Sequence, residues 1–358
     1  MDKRKLITEL QSQGLKLVNS LGAAGRKGGA GPSDHKAVTI DGTTVMIPVY
    51  NDVAVRSPYT VGANSRSPLQ KNGETIASVA FPHRPKFYDL KTTDGIPYSQ
   101  IALLHGHNVL ATTVLQTCIR YSDRHNSCQF CAIEQSLQAA STIARKTPQQ
   151  LAEVAAAAVK LDGVEHLVMT TGTPNHTDRG AAYLIRCAQA VKAAVNLPIQ
   201  VQCEPPDDFA WFAKMKQAGI DSLGMHLEVI EPKVRDRIMP GKAQVSLDYY
   251  FEAFTAAVKV FGWGQVSTYI LAGLGDSLDT IVNTCDRLID IGVYPFVVPF
   301  VPITGTPLAS DRPPSSDFMY AIYERVSAML NNAGMSSNDI KAGCAKCGAC
   351  SALSVFES

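Results

Sequence analysis

Charge is scarce and balanced in this 358-residue chain: Asp, Glu, Lys and Arg make up 18% of it, with 33 basic residues against 32 acidic ones. A nucleic-acid partner needs a basic face to neutralise phosphates, which this balance does not supply. Long apolar runs are also missing. No window holds the roughly 18 uninterrupted apolar residues of a membrane-spanning helix, and the opening MDKRKLITELQSQGLKLVNSL carries Asp2, Glu9 and Gln11 where a signal peptide would stay apolar. Neither membrane insertion nor secretion is expected. The even cysteine count of a disulfide framework is absent too, since there are nine cysteines. Six of them fall in two tight groups, Cys118/Cys128/Cys131 and Cys344/Cys347/Cys350, while Cys187, Cys203 and Cys285 stand alone. Thiolates committed to metal in a reducing, cytoplasmic compartment are the better reading.

The length allows two domains, or one barrel with an appendage. Residues 2–20 read as an amphipathic helix. The glycine-rich residues 22–32 neither follow a strand nor carry the Gly-Lys-Ser/Thr of a phosphate cradle, and read as a flexible loop or lid. Two β-branched runs around Asp41-Gly42 predict a hairpin over 37–49, and further β-like runs follow at 52–61 and 75–81. Residues 1–105 are therefore a small α+β appendage. Beyond them the pattern alternates. Strands are expected at 109–116, 166–170, 198–203, 221–227, 264–271 and 294–301, with helices at 148–160, 179–195, 207–218, 246–261, 277–291 and 316–332. Such alternation implies right-handed crossovers and a parallel sheet. Residues 106–333 then form an α/β partial (β/α)6 barrel, with catalytic groups at the carboxyl ends of its strands, followed by a C-terminal cysteine segment, 334–358.

The first expected strand leads into CIRYSDRHNSCQFC, residues 118–131. Three thiolates on one loop can ligate three irons of a 4Fe–4S cubane, leaving the fourth iron for a chelating small molecule. A Cys3His zinc site using His125 is the competing reading. The loop resembles the cluster loop of radical S-adenosylmethionine (SAM) enzymes, although its C-x9-C-x2-C spacing is longer than their commonest C-x3-C-x2-C. That resemblance implies that Cys118, Cys128 and Cys131 bind the cluster, and that Phe130 packs against the adenine of SAM.

The later strands extend the resemblance over about residues 109–310. VMTTGTP at 168–174 stands where these enzymes carry a Gly-Gly-Glu-Pro-like turn, which implies that Gly172, Thr173 and Pro174 hold the methionyl amino group, with Thr173 in place of the acid. In the biotin synthase and lipoyl synthase group, the acid matching Glu228 bonds the SAM ribose, the position of His226 faces the substrate, and a cation near Lys242 meets the SAM carboxylate. STYILAGLGD at 267–276 resembles a G-x-I-x-G-x-x-E signature, implying that the backbone at Gly273 approaches the adenine, and GTPL at 305–308 closes the sixth strand. At 203–204 a thiol and an acid stand side by side; strand alternation aims one at the cavity, and Glu204 is the expected substrate or SAM contact. Since the other biotin-synthase cysteine positions hold no thiol, that activity is not expected.

The second group, CAKCGAC at 344–350, has C-x2-C-x2-C spacing with small residues that let the backbone wrap a cubane. An auxiliary 4Fe–4S cluster is the leading reading and zinc the other. Its fourth ligand is open among Cys203, a non-cysteine side chain, water and the substrate. A short strand at 336–342 is expected to carry Cys344 to the catalytic top of the barrel, so that both clusters face one cavity, with Tyr121, His125, His226 and Tyr269 as candidates for its wall. Cys187 and Cys285 read as core residues.

The resemblance thus implies an enzyme that cleaves SAM to a 5′-deoxyadenosyl radical, acts on an unidentified small molecule, and draws electrons from an external flavodoxin- or ferredoxin-type donor. The whole chain is similar to a radical SAM family associated with bacterial nitrilase gene clusters, which supplies no reaction. An iron–sulfur electron carrier or scaffold, and a zinc hydrolase on a (β/α) barrel, are the alternative classes.

Overall fold

The computed structural model describes residues 2–18, 33–62, 66–123 and 125–357; the glycine-rich stretch at 22–32 lies outside them. The opening helix, Lys3–Gln13, starts at an Asp2 cap whose side chain accepts from Arg4 N. It ends well before residue 20. Gly14 takes φ +72°, and a Cβ there would stand 2.9 Å from the Ala54 backbone, so the chain turns off the helix into β1 (Lys16–Val18). The expected hairpin forms as β2 (His35–Ile40) and β3 (Thr43–Pro48) around the positive-φ pair Asp41-Gly42. The run at 52–61 splits, because Asn51 caps a short helix, Asp52–Val55, before β4 (Tyr59–Gly62) begins. With β5 (Arg66–Lys71) and β6 (Glu74–Ala80) these strands make a six-stranded sheet in the order β1-β4-β5-β6-β2-β3.

A second sheet forms the barrel core. Its parallel strands are β8 (Val109–Thr113), β9 (His166–Thr170), β10 (Ile199–Gln202), β11 (Ser222–Gly224), β12 (Val266–Ala272) and β13 (Val293–Pro299), neighbours in chain order. All six expected strands are present. So are the six helices between and after them, from Pro148–Asp162, with its Thr147/Gln150 capping box, to Ser316–Asn332. An additional antiparallel edge strand, β7 (Leu103–His105), pairs with Val109–Ala111; at three residues it is too short for periodicity to reveal, and it belongs to the barrel sheet although it precedes residue 106. The α/β partial barrel therefore has β7 and β13 as its two edges. No helix among the described residues is long and apolar enough to cross a membrane.

The C-terminal segment departs from expectation. Residues 336–342 form no strand: Ser337–Asp339 is a 3-10 turn, since this polar run offers no apolar alternation to pair. Gln265, just before β12, donates to Asp339 O at 3.0 Å and accepts from Lys341 N at 3.0 Å. His166, the first residue of β9, accepts from Gly343 N at 3.2 Å, and Gln200 of β10 accepts from Cys344 N at 3.2 Å. These side chains lie toward the amino ends of their strands. The segment thus enters the barrel from the bottom, not the expected top, and its thiols point upward. The appendage clasps it from outside, with Met46 N (2.7 Å) and Gln11 Nε2 (3.2 Å) both donating to Ala349 O.

Candidate active site

At the top of the barrel the loop after β8 carries Cys118, Cys128 and Cys131, each partly buried and outside any disulfide. Two glycines let its supports close on it. A Cβ on Gly172 would sit 2.1 Å from Thr117 O, and the turn that holds Gly172 is tied to the loop by Ile119 N donating to Thr173 O at 3.0 Å. Pro174 continues this turn beside Gly180. On the other side a Cβ on Gly241 would meet Asn126 O at 2.5 Å, while Gln129 N donates to Ile238 O at 2.8 Å. Burial pushes the Cys131 thiol up to about 12 and raises Cys128 well above its usual value, with the Glu228 carboxylate adding to both. Ligation would deprotonate such thiols.

Glu228 follows β11 with φ +60°, a conformation few non-glycine residues hold without support. Arg235 supplies that support, donating to Leu227 O (3.2 Å), Val229 O (2.8 Å) and Val245 O (3.1 Å). Asp276 accepts from Ile230 N and Glu231 N at 2.9 and 2.8 Å. The Glu228 side chain forms an ion pair with buried Lys242; desolvation pulls the Lys242 pKa down, but Glu228 together with Tyr250, Glu204 and Cys128 more than offsets it, so the ammonium is held charged. Gly273, at φ +105°, has its side-chain space filled by Pro314, 2.7 Å from a Cβ there. That packing accounts for the glycine.

Glu204 is the centre of a second polar group. Its Oε2 accepts from Arg120 at 2.9 Å and Arg179 at 3.1 Å, and its Oε1 from Thr173 Oγ1 at 2.7 Å. The Nε and Nη1 of Arg120 are buried with no hydrogen-bond partner among the described residues. Sequence reading missed Arg120, although a cation two residues after the first cluster cysteine was a visible signal; Arg179, Arg235 and Asp276 act through backbone and carboxylate contacts that no spacing encodes. His226 accepts from Tyr269 N through Nδ1 at 3.3 Å, which places its proton on Nε2. That buried Nε2 also has no partner among the described residues. Burial, and secondarily Lys242, pushes the imidazole down to about 3, so it stays neutral.

Below this lies a cavity of about 260 Å³ inside the barrel. Phe130 lines its upper end and Cys344, Cys347 and Cys350 its lower end; Tyr269 and His105 also line it, and the appendage contributes Gln11, His35 and Met46. Gln202 Nε2 donates to Cys344 Sγ at 3.2 Å, and the Tyr269 hydroxyl also bonds that thiol. Burial pushes Cys347 up to about 12. A Cβ on Gly343 would collide with the Gln200 amide at 2.2 Å, so the cysteine segment lies tight against the barrel wall. Among the described residues no three His, Cys, Asp or Glu side chains form a group that could hold a single metal ion; a cubane takes one thiolate per iron, so its thiols sit at separate corners and not around one ion. Cys203 is buried beside Glu204, Asp178 and Arg179 and does not line the cavity, so it is no ligand of the lower group. Cys187 and Cys285 are buried in the core. Tyr121, His125 and His226 are not part of the cavity wall.

Residues 125–288 match the radical SAM superfamily. That stretch, just under half of the chain, is what is similar to this superfamily of enzymes. It is 35% identical over 133 residues to a bacteriochlorophyllide c C-7(1)-hydroxylase of Chlorobaculum limnaeum, a match covering 37% of this chain and 33% of the relative. The matched part thus spans about a third of the length of that curated relative. Among solved structures, methylornithine synthase superposes with a TM-score of 0.46 at 17% identity, covering 70% of this chain and 78% of the other. A radical SAM methyltransferase from Sphaerobacter thermophilus gives 0.47 at 14% identity, covering 79% and 78%.

Proposed function

We propose that this protein is a radical SAM enzyme that binds a 4Fe–4S cluster at Cys118, Cys128 and Cys131, binds SAM beside it, and carries an auxiliary 4Fe–4S cluster at Cys344, Cys347 and Cys350. The observation that carries the reading is that one cavity is lined both by Phe130, from the loop of the first thiol group, and by Cys344, Cys347 and Cys350. When bound, the first cluster and SAM supply a 5′-deoxyadenosyl radical that takes hydrogen from a substrate.

The protein's share is binding, orientation and exclusion of water. Glu228 holds the ribose hydroxyls from a backbone position fixed by Arg235 and Asp276. Lys242 is engaged by Glu228, so the unused donors of Arg120 are the better seat for the SAM carboxylate, while Thr173 and Glu204 face the amino group. His226, neutral and with a spare Nε2–H, lies near Lys242 and outside the cavity, and donates to a cofactor oxygen. Walls of Val109, Ala111, Val168, Leu271, Val298 and Phe300 favour a small molecule with a largely apolar body. An external flavodoxin- or ferredoxin-type donor in the cytoplasm supplies electrons.

The test is anaerobic reconstitution with iron and sulfide, reduction with SAM present, and mass-spectrometric measurement of 5′-deoxyadenosine against a Cys128→Ala control. Cysteine-dependent deoxyadenosine is expected. An iron-loaded protein that forms none, with or without a panel of apolar candidate substrates, would favour an electron carrier or scaffold instead.

A further inference from the structure

We propose that His105 is the fourth protein ligand of the lower cluster, completing Cys344, Cys347 and Cys350; this rests on the auxiliary-cluster reading above. The C-x2-C-x2-C segment offers three thiolates to four irons, and the structure brings one imidazole among them. His105 Nδ1 lies 3.5 Å from Cys347 Sγ, and its Nε2 lies 3.5 Å from Cys350 Sγ.

The placement is built into the fold. His105 ends β7, paired opposite Val109, and Leu104 N donates to the Tyr88 hydroxyl at 3.0 Å, so the strand is held on both sides. The next residue, Gly106, takes φ +62°, and a Cβ there would stand 3.2 Å from Cys347 Sγ. A hairpin added at the edge of the barrel thus delivers both the imidazole and the space for the thiol beside it. The other groups near these sulfurs suit iron less well. Tyr269 and Gln202 each hydrogen-bond to Cys344, and an amide is a poor donor to a cluster. His166 has its Nδ1 occupied by Gly343 N.

The chemistry favours imidazole. Histidine replaces cysteine on iron in Rieske centres and raises the potential, and a neutral ligand leaves the assembly one unit less negative than a fourth thiolate would. That lowers the cost of holding it against an apolar cavity. With four protein ligands the lower cluster has no open iron for the substrate, so its part is to pass electrons to or from the cavity.

The full-length Cys118→Ala/Cys128→Ala/Cys131→Ala variant isolates the lower site. After reconstitution it is expected to hold about four irons, and the reduced cluster should show in pulsed EPR the nitrogen coupling of an iron-bound imidazole, altered when the protein is grown on 15N-histidine. His105→Cys in the same background is expected to keep the iron, lose the coupling and titrate at a lower midpoint potential. In His105→Gly, added 15N-imidazole should restore the coupling. A coupling that survives His105→Cys, or an iron-loaded site with no nitrogen coupling, overturns the assignment of His105. A site that takes no iron at all overturns the auxiliary-cluster reading itself.

Discussion

Arg120 Nη2 lies 2.9 Å from Glu204 Oε2, with both side chains less than a tenth exposed, joining the loop of Cys118, Cys128 and Cys131 to the carboxyl end of β10. Arg179 reaches the same oxygen and also pairs with Asp207 at 3.3 Å. Removing the Glu204 charge strands Arg120 and leaves Arg179 to Asp207.

Glu204→Gln is therefore expected to destabilise the apo chain by about 3–5 kcal/mol, the cost of breaking a buried ion pair from one side, and to weaken SAM binding as Arg120 loses its position. Denaturant unfolding and equilibrium dialysis with labelled SAM would measure the two effects. A loss under about 1 kcal/mol, as for exposed pairs, would mean that the network is solvated.

The two cysteine groups are expected to fail independently. Gly172→Ala drives a methyl into Thr117 O and Gly343→Ala drives one into the Gln200 side chain. Each variant should retain roughly half of the iron of the parent, about four of eight atoms for two cubanes. Gly172→Ala should abolish deoxyadenosine formation. A variant that loses all its iron would show that the sites load as one.

Glu228→Gln leaves every proposed iron ligand in place. Full iron content is expected, with SAM affinity reduced about 10- to 100-fold, the loss of a hydrogen bond to a charged group. Unchanged affinity would remove Glu228 from the ribose site.

Lys146 gives a pH signature outside the site. It is 1% exposed, donates to Gln116 Oε1 at 3.2 Å, and burial pushes its ammonium down to about 7. Between pH 7 and 10.5 the unfolded chain holds this proton more tightly than the folded one, so stability should rise with pH across that window and be lower by up to about 5 kcal/mol at its acidic end. Lys146→Met should flatten the rise; equal slopes in both proteins would show that the amine stays charged when folded.

Periodicity sufficed for the barrel because each of β8 to β13 is a short run set off by a helix, four of these helices carrying a Ser or Thr cap, and spacing sufficed for both cysteine groups. What it could not show was side-chain traffic between distant segments. Glu204 carries no mark of the two arginines it holds, from 84 and 25 residues away. β7 is three residues long, so His105 read as the tail of the appendage. The entry of residues 341–344 from below depends on Gln200 and His166, whose polar side chains sit in strands that otherwise read as apolar, and on Gln265 just before β12.

The bonds from Gln11 and Met46 to Ala349 O span 338 and 303 residues of chain. Because both donors close on one carbonyl, the cysteine segment cannot leave the barrel without releasing its hold on the appendage, which makes the two a single latch over the lower thiols.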